Sequence, residues 1–418
     1  MFKFIHAADI HLDSPLHRLD AYEGAPVDEF RQAARRAFEN LIQLALTEKV
    51  SFVLIAGDLF DGDWKDYNTG LYFTSQMSRL KKAGISVFAI AGNHDAASRI
   101  TKTLRYPDNV RVFPSDRADS FRVEDLRVVV HGQSFASPAI KKDLSRHYPD
   151  PIKGYFNIGL LHTCVNGREG HEPYAPCSLE ALRNQGYHYW ALGHVHQFEI
   201  LSSDPPIVFP GNIQARHIRE TGPKGCVVAT VDEAARIDFD FISLAVVRWA
   251  IAEVDASGAK NAYEVIARTR MQLHALIEAH NSIPTAVRIL VHGETVAYDE
   301  LLAEPERWTN EIRSTANDIG GGSIWVEKIR INVLSPIDSR TLPKTGAMGE
   351  LLELFDELTA DTATRRQLIQ ELDDLDKRLP REIKEGVDGL RFDDPMWSED
   401  LLAKVKPMLI RRLLRKEG

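Results

Sequence analysis

Apolar and polar positions follow two rhythms along this chain. Nearly continuous apolar runs, Phe2 to Ala8, Phe52 to Ala56 and Val87 to Ala91, each end in a polar turn. Between them, apolar residues recur at helical spacing. Phe30, Ala34, Ala37, Phe38, Leu41, Ile42 and Ala45 mark one face of a helix within residues 28–49. Residues 66–83 read the same way, and Gly84 fits a helix C-cap. Further short runs predict strands at 127–131, 156–161, 188–192, 207–210, 226–231 and 236–243. The alternation predicts an α/β core over residues 1–245, with parallel strands first and more antiparallel ones later.

The rhythm restarts at about residue 246. Strands are expected from Trp249 to Val254, Ala286 to Val291 and Ile324 to Val333, with helices at 261–280 and 298–317. Gly320-Gly321-Gly322 reads as a flexible connection before the last strand. This predicts a small α/β domain over 246–335, then a linker from Ser335-Pro336 to Gly346. Residues 345–418 read as helical. Leu368, Leu372, Leu375 and Leu379 form a short stripe ended by Pro380. Trp397, Leu401, Leu402, Val405, Met408, Leu409 and Leu413 form a second, before the basic Arg411, Arg412, Arg415 and Lys416.

Five short motifs carry chemistry, most of them closing an apolar run. They are Asp9-Ile10-His11, Gly57-Asp58-Leu59-Phe60-Asp61, Gly92-Asn93-His94-Asp95, His162 in Leu160-Leu161-His162-Thr163, and Gly193-His194-Val195-His196. Open α/β sheets place ligands just past strand C-termini. Carboxylate, imidazole and amide oxygen make a mixed shell suited to Mn²⁺, Fe²⁺, Zn²⁺ or Mg²⁺. Asp9 and His11, two apart in an extended segment, would point the same way, as would His194 and His196. The two oxygens of Asp58 can bridge two ions, and Asn93 can offer its carbonyl. Two ions about 3.5–4 Å apart polarise a phosphoryl group and activate water. His94 follows Asn93 and is expected to face the substrate as general acid, with Asp61 holding its ring.

A single histidine more often fills a core or faces water; the ordered set is what points to two metals and phosphate esters. Of the other histidines, His217 follows the last motif most closely. Arg99, Lys102 and Arg105 follow the third motif and could contact phosphates. Nothing near Cys164 or Cys177 marks a nucleophile.

Composition narrows the class. Hydrophobic residues make up 44% of 418 and charged residues 27%, enough apolar material for a large core and no run long enough to span a membrane. The N-terminus runs straight into the first motif without a leader pattern, and there are three cysteines, so a cytoplasmic location is expected. A net charge of −9 argues against tight autonomous DNA binding, although two divalent ions also need local carboxylates.

The motifs resemble the calcineurin-like metallophosphoesterase signature, with every position filled. The resemblance covers roughly the first 245 residues. It implies a double β-sheet sandwich flanked by helices. It also implies one ion on Asp9, His11, Asp58 and His196, a second on Asp58, Asn93, His162 and His194, and a His94–Asp61 pair. The opening Phe4-Ile5-His6-Ala7-Ala8-Asp9-Ile10-His11-Leu12-Asp13-Ser14-Pro15-Leu16 is similar to DNA repair exonucleases of the SbcD class, most of all their YhaO branch. So are Tyr174-Ala175-Pro176-Cys177, Tyr189 to His196, Pro210 to Gln214 and Gly222 to Cys226. That class implies a small cap domain that helps admit DNA, Mn²⁺ as the favoured ion and a coiled-coil ATPase partner, YhaN for this branch. It also implies a homodimer. Some relatives carry a second histidine where Asp61 stands, so polarity of digestion does not carry over.

Three readings fit. The first is a metal-dependent DNA exonuclease. The second is a phosphodiesterase or phosphatase of nucleotides or other small esters. The third is a DNA-end-binding scaffold subunit of an ATPase complex, against which the complete ligand set argues.

Overall fold

A computed structural model describes every residue except 15–26, 62–66, 98–104, 167–173, 281–282, 337–341, 343–344, 381–383, 385–389, 391, 393 and 417–418. Two compact units appear. The first comprises Met1–Ala250, Ile277–Val287 and Gly322–Glu327, and the second Ile251–Leu276, Arg288–Gly321 and Lys328–Gly418.

The first unit is built on two six-stranded sheets. One contains β1 (Phe2–Ala7), β2 (Phe52–Ala56), β3 (Ser86–Ile90), β4 (Val110–Val112), β11 (Gly225–Val231) and β12 (Ile237–Ser243), in the order β12-β11-β1-β2-β3-β4. The other contains β5 (Asp119–Val123), β6 (Val128–Gly132), β7 (Phe156–His162), β8 (Tyr189–Gly193), β9 (Phe198–Ser203) and β10 (Pro206–Pro210), in the order β5-β6-β7-β8-β10-β9. In each sheet four adjacent strands are parallel, and the antiparallel strands lie outside them.

Strand periodicity sorts the side chains. Phe4, Phe52, Leu54 and Phe88 from one sheet meet Val128, Ile158, Leu160 and Tyr189 from the other. Ile5, Ala7, Val53 and Val87 point outward to Phe38, Leu41 and Ile42 of α1 (Val27–Thr47) and Phe73 and Met77 of α2 (Tyr67–Lys82). On the far side Trp190, Leu192 and Phe209 pack with Leu182 of α4 (Leu179–Asn184); the short α3 (Asn93–Ala97) follows β3. This is the double sandwich flanked by helices that the resemblance implies. Among the described residues no helix is long and apolar enough to cross a membrane.

His6 is fully buried between the sheets, its Nδ1 3.0 Å from the Tyr189 hydroxyl and its Nε2 3.0 Å from the Leu192 carbonyl. Burial pushes its pKa down to about 3, against the Leu192 carbonyl and the Asp9 charge. Such a group stabilises the fold fully above its unfolded value of about 6.5 and loses that contribution as pH falls toward 3. Between pH 7 and pH 5, urea unfolding of metal-free protein should show wild type losing about 2 kcal/mol more than His6→Gln. Equal slopes for the two proteins would refute this.

In the second unit lie α5 (Ala262–Ala279, up to Leu276), α6 (Tyr298–Ala303) and α7 (Pro305–Gly320). The three-stranded sheet has the order β13-β14-β15: β13 (Arg248–Asp255), β14 (Thr285–Glu294) and β15 (Ile324–Leu334). The single helix expected at 298–317 is two helices. Glu304, out of the helical region at φ −131° and ψ 61°, ends the first, and Pro305 opens the second. The glycine run is a helix stop: Gly321, at φ 50°, donates its N–H to the Asn317 carbonyl.

Beyond it come α8 (Gly346–Ala360), α9 (Thr362–Gln370), α10 (Asp373–Arg378) and α11 (Pro395–Lys416). Met348 and Leu352 of α8 pack with Ile410 of α11, so these helices cover each other. The leucine stripe at 368–379 is broken by the turn between α9 and α10, and Leu368 and Leu375 are exposed. The side chains of Arg411, Arg412, Arg415 and Lys416 lie outside the described residues.

Candidate metal centre

Parallel pairing of β1, β2 and β3, and of β7 and β8, carries the five motifs to strand ends. The two sheets are tied there by His162, whose Nδ1 donates to the Ala56 carbonyl at 2.9 Å. Asp9 and His11 are not extended, as expected from their spacing, but left-handed, at φ 49° and 46°. Backbone bonds from Asp9 and His11 to the Gly57 and Asp58 carbonyls, both 3.0 Å, hold those turns. Asp58 (φ 49°) and His194 (φ 106°) are positive as well. Backbone strain of this kind gathers at functional sites.

Two motif glycines are there for close approach. A Cβ on Gly193 would sit 1.9 Å from the Ala56 carbonyl oxygen, and one on Gly92 would sit 2.3 Å from Asp58 Oδ1. Gly193→Ala must therefore move backbone. It is expected to cost about 1–3 kcal/mol in the unfolding of metal-free protein; an unchanged midpoint would contradict the packing.

Asp9, His11, Asp58 and His162 are buried. Three imidazoles are held at Nδ1 by an acceptor: His11 by Asp61 (2.6 Å), His162 by Ala56, and His196 by Glu220 (2.6 Å). Each Nε2 is thereby left as the nitrogen facing the centre. His11 Nε2 lies 3.3 Å from His196 Nε2 and 3.9 Å from Asp58 Oδ2. His162 Nε2 lies 3.0 Å from Asn93 Oδ1 and 3.5 Å from Asp58 Oδ2, and His196 Nε2 lies 3.6 Å from Asp9 Oδ1. Lone pairs thus converge on shared points, a donor set that fits divalent cations. Asp9, His11 and His196 form one such group, and Asp9, Asp58 and His162 another. The His194 backbone N–H donates to both Asp9 oxygens, at 3.1 and 3.0 Å, and its ring centroid is 5.2 Å from that of His162.

The field matches. Burial would lower the His196 pKa, but bonds to Asp9 and Glu220 outweigh it and push it up to about 9. The negative surroundings hold a positive charge where a cation would displace the proton. Burial and the Arg216 charge lower His11.

His94 stands apart. Its side chain is 41% exposed and lines the cleft, and its Nδ1 is 3.0 Å from Asp61 Oδ1. Burial lowers its pKa, but the Asp61 bond and the Asp58 and Asp61 charges overcome this and raise it. Asp61 therefore holds His94 as expected, and with the same oxygen it also holds His11. Asp95 accepts N–H bonds from Leu59, Phe60 and Gly92, clamping the second motif to the third.

Three residues of the loop between β10 and β11 escape sequence reasoning. Glu220 is 6% exposed and touches His196. Arg216 reaches Asp61 (3.7 Å) and Glu220 (3.3 Å), and the Lys224 ammonium donates to the His196 carbonyl. His217 is at the centre's edge, its Nε2 3.5 Å from Glu220. An open cleft of about 780 Å³ is lined by His94, His194, His196, Arg216, Arg219 and Tyr174, among others. Arg105 is exposed, and Arg99 and Lys102 lie outside the described residues. Cys164 and Cys177 are free and buried.

Residues 2–198 match the calcineurin-like phosphoesterase family, and residues 249–334 match the middle domain of metallophosphoesterase YhaO. The uncharacterised metallophosphoesterase YhaO of Bacillus subtilis is 34% identical over 315 residues, which is 74% of this chain and 75% of that protein. The DNA double-strand break repair protein Mre11 of Sulfurisphaera tokodaii is 28% identical over 209 residues, 48% of this chain and 51% of that one. Mre11 of Methanopyrus kandleri is 25% identical over 297 residues, 64% of this chain and 62% of that one.

Proposed function

Because the chain belongs to the calcineurin-like metallophosphoesterases of the YhaO type, we propose that it is a two-metal DNA nuclease acting as an exonuclease, with Mn²⁺ as its preferred ion. The observation that carries this reading is the convergence of three Nδ1-anchored imidazoles and two carboxylates beside an open cleft. Similarity to proteins named for double-strand break repair supports DNA as the substrate. Asp9, His11, Asp58 and His196 would hold one ion, and Asp58, Asn93, His162 and His194 the other. Bound there, divalent ions supply activation of water and neutralisation of phosphoryl charge.

The chain's own residues do the rest. Asp61 fixes the His94 ring through Nδ1, which leaves Nε2 to donate a proton to the departing oxygen. The raised pKa of His94 keeps that proton available near neutral pH. Arg216 faces the cleft with its charge offset by Asp61 and Glu220. In this reading a coiled-coil ATPase of the YhaN kind presents DNA ends, and the chain works as a homodimer.

End-labelled duplex and single-stranded DNA with Mn²⁺, Mg²⁺ or no metal tests the reading, with His94→Ala alongside. Metal-dependent loss of DNA that disappears in the variant is expected. No loss with any ion, with or without the ATPase, would refute it. The net charge of −9 favours a second reading, small phosphate esters. Turnover of a cyclic nucleotide or chromogenic diester without loss of DNA would establish that one.

A further inference from the structure

Glu220 is a buried carboxylate, and burial of a charge is costly unless its oxygens are engaged. Oε2 accepts the Arg216 backbone N–H (2.7 Å) and Asn212 Nδ2 (3.0 Å). Oε1 faces the Arg216 guanidinium (3.3 Å), His217 Nε2 (3.5 Å) and His196 Nδ1 (2.6 Å). Asn212, Arg216 and His217 belong to the same loop as Glu220. His196 precedes β9 and belongs to the motif that follows β8. The shortest of these contacts is thus the one that leaves the loop. Lys224, at the loop's far end, donates to the His196 carbonyl. One loop therefore grips His196 at both ring and backbone.

We propose that Glu220 is a positioning residue for one of the two ions, the one that His196 holds; this rests on the reading of His196 as a ligand. By accepting the Nδ1 proton, Glu220 fixes the tautomer and aims Nε2 at the point it shares with His11 Nε2, 3.3 Å away. Arg216 and Asn212 hold the carboxylate in place. None of the Glu220 contacts described above involves Asn93, His162 or His194, so its influence falls on one ion and spares the other.

Calorimetric titration of metal-free full-length protein with Mn²⁺, and Co²⁺ absorption spectra, test this on wild type, Glu220→Gln and Glu220→Ala. Wild type should take up two ions. Glu220→Ala should weaken one site about 10–100-fold, leave the other unchanged and alter the Co²⁺ spectrum of the weakened site only. Glu220→Gln, which keeps an acceptor without the charge, should fall between. Two sites unchanged, or both weakened equally, would overturn the proposal while leaving the metal centre standing. Wild type that binds no ion would sink the metal-centre reading and the proposal together. If neither variant folds, imidazole ¹⁵N spectra of Zn²⁺-loaded wild type decide: a His196 proton on Nδ1 is expected, and one on Nε2 overturns the assignment.

Discussion

Asp58→Ala is expected to lose both ions and to hydrolyse roughly 10³-fold more slowly or worse. The carboxylate stands between the two halves of the centre. Its Oδ2 lies 3.5 Å from His162 Nε2 and 3.9 Å from His11 Nε2, and its Oδ1 accepts the His94 backbone N–H at 2.9 Å. Asp9 shares this position, grouped with His11 and His196 and also with His162. Alanine would leave Asp9 alone among the assigned carboxylates to offset two cations. Metal analysis after gel filtration, read beside a thermal unfolding curve, checks this. Two ions retained in folded Asp58→Ala would refute its bridging role.

On the nuclease reading, His94→Ala should slow DNA hydrolysis about 10²–10⁴-fold with metal content near that of wild type. The side chain lines the cleft and is held from behind by Asp61. On the proposed reading its loss removes a proton donor rather than an anchoring ligand. The effect should depend on the leaving group. A chromogenic phenolate departs with little help, so its ester should lose far less than DNA. The pH profile gives a second check. The His94 pKa is raised, so wild-type kcat should fall as pH rises through that value. The variant should lack that limb. Equal losses on both substrates, or loss of metal, would reassign His94 to the metal shell.

Much of this was legible in the chain. Strands buried on both faces, such as Phe52–Ala56, are continuous apolar runs, and their ends carry the motif residues. β4, β5 and β9 were not, because Val110–Val112 has one buried residue and Asp119–Val123 none, as at sheet edges. The split of 298–317 was written in Pro305, which the helical periodicity around it masked. The candidate metal donors stood out through their order. Glu220, Arg216 and Lys224 were not, because charged residues in a loop look alike until the loop folds back on His196. The expectation that Asp9 and His11 align by strand alternation missed their backbone: turns, not pleats, bring them together.

Those turns have a consequence for how the protein can change. Left-handed backbone at Asp9, His11 and Asp58 is tolerated by aspartate, asparagine, histidine and glycine, and resisted by β-branched residues. Each such position costs on the order of 1 kcal/mol that the surrounding sheets must sustain whether or not an ion is present. The geometry of these three candidate ligands is consequently set when the sheets fold. The same arrangement narrows the alphabet at these sites: drift toward valine or threonine is barred by conformation before chemistry is ever tested.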